Sequence, residues 1–219
     1  MKYDLYVVTD ETVSGGRSHT EIARLAVAGG ADVIQLRDKA RTCSELAGIG
    51  REIRAITRSA GAGFIVNDRL DVALSCGADG VHLGQGDMSC VIARQISPPG
   101  FVIGVSVGSV AEARNAERDG AAYVAISPVF ATGSKRDAGP GHGLTLLREI
   151  QTAVSIPVIA IGGIGLENAG DVIDAGADGI AVISAVVGAT DLTGTARKMA
   201  AIVAERKAAR KKCKGMAGL

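Results

Sequence analysis

Short apolar runs alternate with longer amphipathic stretches along nearly the whole chain. Four of the apolar runs open with variants of one phrase, in which a glycine separates a helical stretch from a run dense enough for a strand covered on both faces. The phrases are GGADVIQLR from Gly29, CGADGVHLG from Cys76, DGAAYVAIS from Asp119 and AGADGIAVIS from Ala175. The repeat predicts that each glycine, at 30, 77, 120 and 176, caps a helix in the left-handed conformation.

Four further strand candidates lie between these phrases, at LYVVTD from Leu5, GFIVND from Gly63, VIGVS from Val102 and PVIAIGG from Pro157. The intervening segments have helical periodicity, and they include 19–29, 42–60, 109–119, 143–154 and 165–175, with Thr20, Thr42 and Ser109 as candidate N-caps. Eight alternating units predict an α/β protein, a single (βα)₈ TIM barrel with its active site at the C-terminal rim of the strands, rather than an open doubly wound sheet.

No linker divides the chain, so we predict one barrel domain over residues 1–205. The basic segment 206–219 is expected to be a frayed C-terminal tail, with a nucleic-acid-binding tail as the alternative.

Composition limits the expected partners. With 47% hydrophobic residues in 219, the chain can bury roughly 70–75% of its unfolded surface. A net charge of +1 provides no broad field for nucleic acid or an anionic membrane, so small molecules are expected, and a homodimer is left open. A cytoplasmic location is expected, because neither a signal sequence nor ~18 uninterrupted apolar residues is present. The four cysteines lack C-x-x-C spacing, which predicts free thiols.

Polar side chains follow the predicted strands where a barrel of this kind places its catalytic groups. After the second strand, Gln35, Arg37 and Lys39 occupy alternate positions and therefore share a face, although a solvated edge strand would also tolerate them. The candidates after strands three to six are Asn67, Asp68, Gln85, Asp87, Ser106, Thr132, Ser134 and Lys135.

Asp68 and Asp87 end neighbouring predicted strands. The pair suits Mg²⁺, which takes one or two carboxylates and completes its octahedron with water and phosphate oxygens. The alternative is that each aspartate only caps the next helix. The cations Arg37, Lys39 and Lys135 favour a metal with a polyphosphate.

The last two strands end in IAIGGIG and AVISA, where such barrels often bind phosphate through backbone N–H groups. Gly162, Gly163, Ile183 and Ser184 are candidates for a phosphate cradle, and a tight turn is the alternative. The long segment SPVFATGSKRDAGPGHGL from Ser127 is either an active-site lid or a mobile surface loop.

The three histidines offer little acid/base capacity. His19 precedes a predicted helix, His82 is interpreted as structural because it lies within a strand, and His142 in the long loop is a catalytic candidate.

Seven motifs in order resemble the thiamine phosphate synthase family over about residues 3–205: QLRDK, VNDR, GVHLGQGD, GVSVGS, SPVFATGSK, IAIGGI and GADGIAVIS. The resemblance implies a transferase of thiamine biosynthesis. Such an enzyme joins 4-amino-2-methyl-5-hydroxymethylpyrimidine diphosphate to 4-methyl-5-(2-phosphoethyl)thiazole, or its carboxylated form. It releases pyrophosphate and yields thiamine phosphate by a dissociative, Mg²⁺-assisted mechanism.

The resemblance also implies roles for individual residues. Asp68 and Asp87 would hold Mg²⁺, and the catalytic candidates are Arg37, Lys39, Ser106 and Lys135. The pyrimidine diphosphate would be bound by Gln35, Arg37, Lys39, Asn67, Ser106 and Lys135, with Leu36 and Asp38 as further substrate-binding candidates. The thiazole phosphate would be bound by Thr132, Gly133, Ser134, Gly163, Ile183 and Ser184.

Gly108 departs from the family pattern, because many relatives have a histidine two residues after the equivalent of Ser106. In the related thiazole tautomerase that histidine is the acid/base, so its absence argues against tautomerase activity. A tautomerase or another phosphate-ligand isomerase remains an alternative, which predicts turnover without Mg²⁺. A noncatalytic thiamine-pathway binding protein is a second alternative, which predicts tight binding without turnover.

Overall fold

The computed structural model describes residues 1–132 and 141–217. Eight parallel strands form a closed barrel in chain order, and β8 pairs with β1. The strands are β1 Leu5–Val8, β2 Val33–Leu36, β3 Gly63–Asn67, β4 Gly80–Leu83, β5 Val102–Val107, β6 Tyr123–Ile126, β7 Val158–Ile161 and β8 Gly179–Val182. The (βα)₈ barrel predicted from the repeat is confirmed, and the open-sheet alternative is wrong.

Helices alternate with the strands around the barrel. They are α1 His19–Ala28, α2 Cys43–Ala60, α3 Leu70–Ser75, α4 Cys90–Ile96, α5 Val110–Arg118, α6 Gly143–Ala153, α7 Ala169–Asp174, α8 Ser184–Val187 and α9 Leu192–Ala217. The four repeated glycines have φ values of 94°, 70°, 91° and 117°, which confirms the left-handed caps. In the part of the chain that the structure describes, no helix is both long enough and apolar enough to cross a membrane.

The predicted N-caps are confirmed at two positions and wrong at one. Thr42 forms a capping box with Glu45, and Ser109 accepts a hydrogen bond from the backbone of the third residue of its helix. Helix α1 is instead capped by Ser18, because Thr20 already lies in the first turn and donates to Glu52. The helix predicted over 165–175 is also shorter, since the stretch before Ala169 forms a turn.

Two apolar cores follow from the alternation of side chains along each strand. One lies between the strands and the helices, and it includes Leu5, Val7 and Leu36. The other fills the barrel itself, as expected for this fold. Its members are Tyr6, Val8, Val33, Ile65, Tyr123, Ala125, Ile159, Ile161, Ala181 and Ile183. The four cysteines are free thiols, as predicted.

Helix α9 continues past the boundary predicted at residue 205. Arg206 pairs with Asp174 at 2.9 Å, and Lys207 pairs with Asp4. Arg210 donates one hydrogen bond to a backbone carbonyl in α7, that of Ile173, and one to the carbonyl of Ala177, just after this helix. We expected fraying from residue 206 onward, whereas these contacts fix the first basic turns of the segment against the barrel. The division of the chain at residue 205 stays a prediction.

Candidate active site

The first group of predicted site residues lies on and after β2, which pairs with β1 and β3 and is therefore not an edge strand. Gln35 is buried inside the barrel, where its Nε2 donates to the Tyr6 hydroxyl at 2.7 Å. Arg37, with 13% of its side chain exposed, pairs with Asp10 at 3.4 Å. The alternative of a solvated edge strand is wrong.

Leu36 points away from this group. It is 1% exposed and packs in the core between strands and helices. The predicted substrate contact of Leu36 is therefore restricted to its backbone, because successive side chains of a strand face opposite sides.

The carboxylate of Asp38 fixes the loop that carries Arg37 and Lys39. It accepts hydrogen bonds from the backbone of Ala40 at 2.7 Å and of Arg41 at 3.1 Å. His19 Nε2 lies 3.2 Å from the same carboxylate. Burial alone would raise the pKa of Asp38, but these hydrogen bonds and the contact with Arg41 lower it below its usual range. The structure thus gives Asp38 a loop-ordering function, and the contact with His19 helps to hold its carboxylate in place.

Asp68 and Asp87 are brought into contact at the rim. Burial, followed by the hydrogen bond and the charge of Asp87, raises the pKa of Asp68 to about 6. Lys39 and Arg37 act in the opposite direction, which places both cations within electrostatic range of the pair. Asp68 also has a φ of 62°, the left-handed value that among the described non-glycine residues occurs only here. Backbone strain of this kind concentrates at functional sites.

The helix-capping alternative for these aspartates is wrong. The N-cap of α3 is Arg69 and that of α4 is Ser89. Asp87 instead accepts a hydrogen bond from the backbone N–H of Gly84 at 2.7 Å, which orders the loop after β4. Gln85 in the same loop donates to the backbone carbonyl of Ser106 at 2.7 Å.

Ser106 ends the interior row of β5, directly above His82. The Nε2 atom of His82 lies 2.9 Å from Ser106 Oγ, and its Nδ1 lies 3.0 Å from the Tyr123 hydroxyl. The structural interpretation of His82 therefore missed its contact with a predicted site residue. The signal was available, because the interior positions of the neighbouring strands β4 and β5 bring the two side chains together.

A cavity of about 420 Å³ opens at the ends of β6, β7 and β8. Its lining includes five of the predicted phosphate-binding residues: Thr132, Gly162, Gly163, Ile183 and Ser184. The two glycines have φ values of 105° and 63°. A Cβ on Gly163 would lie 2.7 Å from a backbone oxygen of the loop after β6. The tight turn is therefore sufficient to explain why glycines occupy these two positions. Phosphate binding in the adjacent cavity stays a prediction.

The predictions for Gly133, Ser134 and Lys135 lie outside the described residues, as does the part 133–140 of the predicted lid. His142 precedes α6, and it is exposed. Its ring lies beside Gly108, where a Cβ would be 3.2 Å from Nε2. The missing side chain at Gly108 thus leaves room for His142 at the rim.

Carboxylates, cations and a cavity of small-molecule size around one rim define a (βα)₈-barrel enzyme for anionic small molecules. The family model described as thiamine monophosphate synthase matches residues 5–186. The chain belongs to this family of transferases in thiamine biosynthesis, which confirms the resemblance seen in the motifs.

Individual relatives agree with this assignment. The chain is 63% identical to the thiamine-phosphate synthase of Methanoculleus marisnigri over 95% of this chain and 99% of the relative. It is 52% identical to that of Moorella thermoacetica over 92% and 96%. A solved structure, the thiamine phosphate pyrophosphorylase from Pyrococcus furiosus, superposes with a TM-score of 0.86 at 45% identity, covering 93% of this chain and 96% of that chain.

Proposed function

We propose that the enzyme joins 4-amino-2-methyl-5-hydroxymethylpyrimidine diphosphate to 4-methyl-5-(2-phosphoethyl)thiazole, or to its carboxylated form, and releases pyrophosphate. The observation that carries this proposal is the contact between Asp68 and Asp87 beside the cations of the β2 loop. Two touching carboxylates flanked by Arg37 and Lys39 suit a diphosphate with a divalent cation better than they suit a neutral ligand.

The charge and the ligand atoms of the carboxylate pair fit a divalent cation. Burial, followed by the hydrogen bond and the charge of Asp87, raises the pKa of Asp68 to about 6, so a positive charge bound between the two acids would offset an unfavourable placement of negative charge. In the described residues no cluster of three or more acids, histidines or cysteines could hold a metal by itself. This donor set matches Mg²⁺, whose remaining ligands are water and phosphate oxygens. When bound there, Mg²⁺ would neutralise charge on the diphosphate.

The protein's part in the reaction is electrostatic. The bond between the pyrimidine methylene and the diphosphate oxygen breaks, and its electron pair leaves with pyrophosphate. The thiazole nitrogen then supplies the electron pair of the new C–N bond. Arg37 and Lys39, with Lys135 by the motif, would stabilise the charge that develops on the departing oxygen. No protein nucleophile is required, in agreement with a rim that carries cations and acids.

The two substrates occupy different parts of the rim in this proposal. Gln35, Asn67 and Ser106 lie at or one residue before the C-terminal ends of β2, β3 and β5 and would contact the pyrimidine. The cavity beside Gly163 and Ser184 would take the thiazole phosphate, with Thr132, Gly133 and Ser134 on the loop after β6. In this division the thiazole phosphate would lie across the barrel mouth from the β2 cations.

The test is to incubate the purified protein with both substrates and Mg²⁺ and to measure pyrophosphate and thiamine phosphate. We expect equal amounts of both products, and neither without Mg²⁺. Asp87→Asn should abolish most turnover, whereas Asp171→Asn, an exposed acid on α7, should not. Isomerisation of a thiazole phosphate without Mg²⁺, unchanged in Asp87→Asn and with no release of pyrophosphate, would favour an isomerase. Tight calorimetric binding without any product would favour a binding protein.

A further inference from the structure

A continuous hydrogen-bonded chain of five side chains crosses the inside of the barrel beneath the rim. It runs from Gln35 Nε2 to the Tyr6 hydroxyl at 2.7 Å, and on to the Tyr123 hydroxyl at 3.0 Å. From there it continues to His82 Nδ1 at 3.0 Å, and from His82 Nε2 to Ser106 Oγ at 2.9 Å. We call these five residues the relay. Its two ends lie on β2 and β5, three strands apart around the barrel.

The relay has a direction. An amide nitrogen only donates, so the Tyr6 oxygen accepts from Gln35, and the single Tyr6 proton is directed to Tyr123. Tyr123 in turn donates to His82 Nδ1, which leaves the imidazole proton on Nε2, pointing at Ser106. The Ser106 hydroxyl then keeps its own proton for another acceptor. The outermost groups are consequently an acceptor, Gln35 Oε1, at one end and a donor, the Ser106 O–H, at the other.

Exchanging the donor and acceptor roles at Gln35 or at Ser106 would reverse the donor–acceptor direction of every hydrogen bond in the relay. If the Gln35 amide were turned over, Oε1 would accept from Tyr6, and each hydroxyl would donate toward Gln35. His82 would then carry its proton on Nδ1, and Ser106 would donate to Nε2. The hydrogen-bonding character of Gln35 is therefore coupled to that of Ser106 across the barrel.

The surroundings keep the relay in place. Tyr6 is 1% and Tyr123 0% exposed, and burial raises the pKa of both hydroxyls, so both stay protonated at physiological pH. The Tyr123 ring lies over Gly104, where a Cβ would be 2.0 Å from Cζ. The His82 ring stacks on Tyr123 with centroids 5.6 Å apart. Buried polar groups with a full set of partners specify one arrangement.

We infer that Tyr6, Tyr123 and His82 are positioning residues that make Gln35 an acceptor and Ser106 a donor toward the pyrimidine ring. This inference rests on the proposed function. A 4-aminopyrimidine offers the complement, an amino N–H donor and ring-nitrogen acceptors. A 4-oxopyrimidine offers a carbonyl acceptor where the amino group was, and it would face the Gln35 oxygen without a proton between them. The relay thereby selects the amino form of the substrate.

The direction of the relay can be tested without substrate. In protein labelled with ¹⁵N-histidine, long-range proton–nitrogen correlation spectra resolve the tautomers of the three histidines. The His82 signals are assigned with His82→Asn. We expect His82 with its proton on Nε2 in the wild type, and loss of the uniform tautomer in Tyr123→Phe. A proton on Nδ1 in the wild type would overturn the inference.

Its consequence for specificity is tested with the pyrimidine diphosphate and its 4-oxo analogue. Tyr123→Phe keeps the ring over Gly104 but removes the hydroxyl, and we expect the ratio of kcat/KM for the amino over the oxo substrate to fall about tenfold. The KM for the thiazole phosphate should not change. Tyr6→Phe should have the same effect, and it serves if Tyr123→Phe folds poorly.

Tyr3→Phe is the matched control. Its ring lies 5.0 Å from that of Tyr123, yet its hydroxyl has no hydrogen-bond partner among the described residues, so the ratio should stay constant. An unchanged ratio in both relay variants, even with lower thermal stability, would show that the tyrosines only support packing. Absence of turnover in the wild type would instead contradict the proposed function, while the histidine tautomer still decides the direction of the relay.

Discussion

Replacing Arg37 separates the proposed chemistry from the stability of the barrel. Arg37 follows β2, and the ion pair that the structure gives it, with Asp10, has a distance of 3.4 Å. Its guanidinium acts electrostatically on Asp68 at the rim. If it stabilises the departing diphosphate, Arg37→Ala should slow turnover much more than it destabilises the fold.

The two effects differ enough in size to be distinguished. A long ion pair near the surface contributes about 1 kcal/mol or less to the free energy of unfolding. For a domain of this size, such a change shifts Tm by about 2–4 °C. A preorganised donor toward a developing negative charge contributes ~3–4 kcal/mol to the barrier, which is a loss of about 10²–10³ in kcat.

Steady-state kinetics and thermal denaturation of the same preparations would test this. The chain offers a matched control in Arg54→Ala: Arg54 pairs with Asp79 at 2.8 Å, next to the N-terminal end of β4, away from the rim. We expect Arg54→Ala to lower Tm without changing kcat. If Arg37→Ala lowered Tm as much as the control and kept full specific activity, Arg37 would have no part in leaving-group stabilisation.

Three further predictions concern other parts of the molecule. Gly163→Ala should raise the KM for the thiazole phosphate more than tenfold, because its Cβ would lie 2.7 Å from a loop carbonyl; unchanged kinetics would contradict the cradle. The lowered pKa of Asp38 stabilises the fold above about pH 4, and this stability is lost as pH falls toward the folded pKa; thermal scans against pH should show a weaker acid dependence in Asp38→Asn. Lys207→Ala should lower Tm by breaking its pair with Asp4, whereas the exposed Lys211→Ala should not; equal Tm values would contradict anchoring of α9.

The features visible in the sequence are those set by local chemistry. The repeated glycine before each buried strand predicted the barrel, and the alternation of Gln35, Arg37 and Lys39 predicted a shared face. The cap of α1 was misplaced because Ser18 and Thr20 are both good caps, and only the position of the first turn distinguishes them.

Contacts between distant parts of the chain were not visible. Tyr6 and Tyr123 are 117 residues apart, and no local pattern marks them as partners. The anchoring of the basic helix end has the same origin, since Lys207 meets Asp4 only after the barrel has closed. Such contacts depend on tertiary packing rather than on periodicity or propensity.

Asp68 makes the folded protein less stable in two ways. A non-glycine residue at a φ of 62° carries strain on the order of 1 kcal/mol, and its carboxylate touches that of Asp87. Asparagine would remove the repulsion and tolerates the left-handed conformation. A directed-evolution experiment that screens only for heat resistance should therefore accumulate Asp68→Asn, and the stabilised variants would have lost one of the two carboxylates proposed to bind Mg²⁺. Screening for product formation after heating would keep the acid.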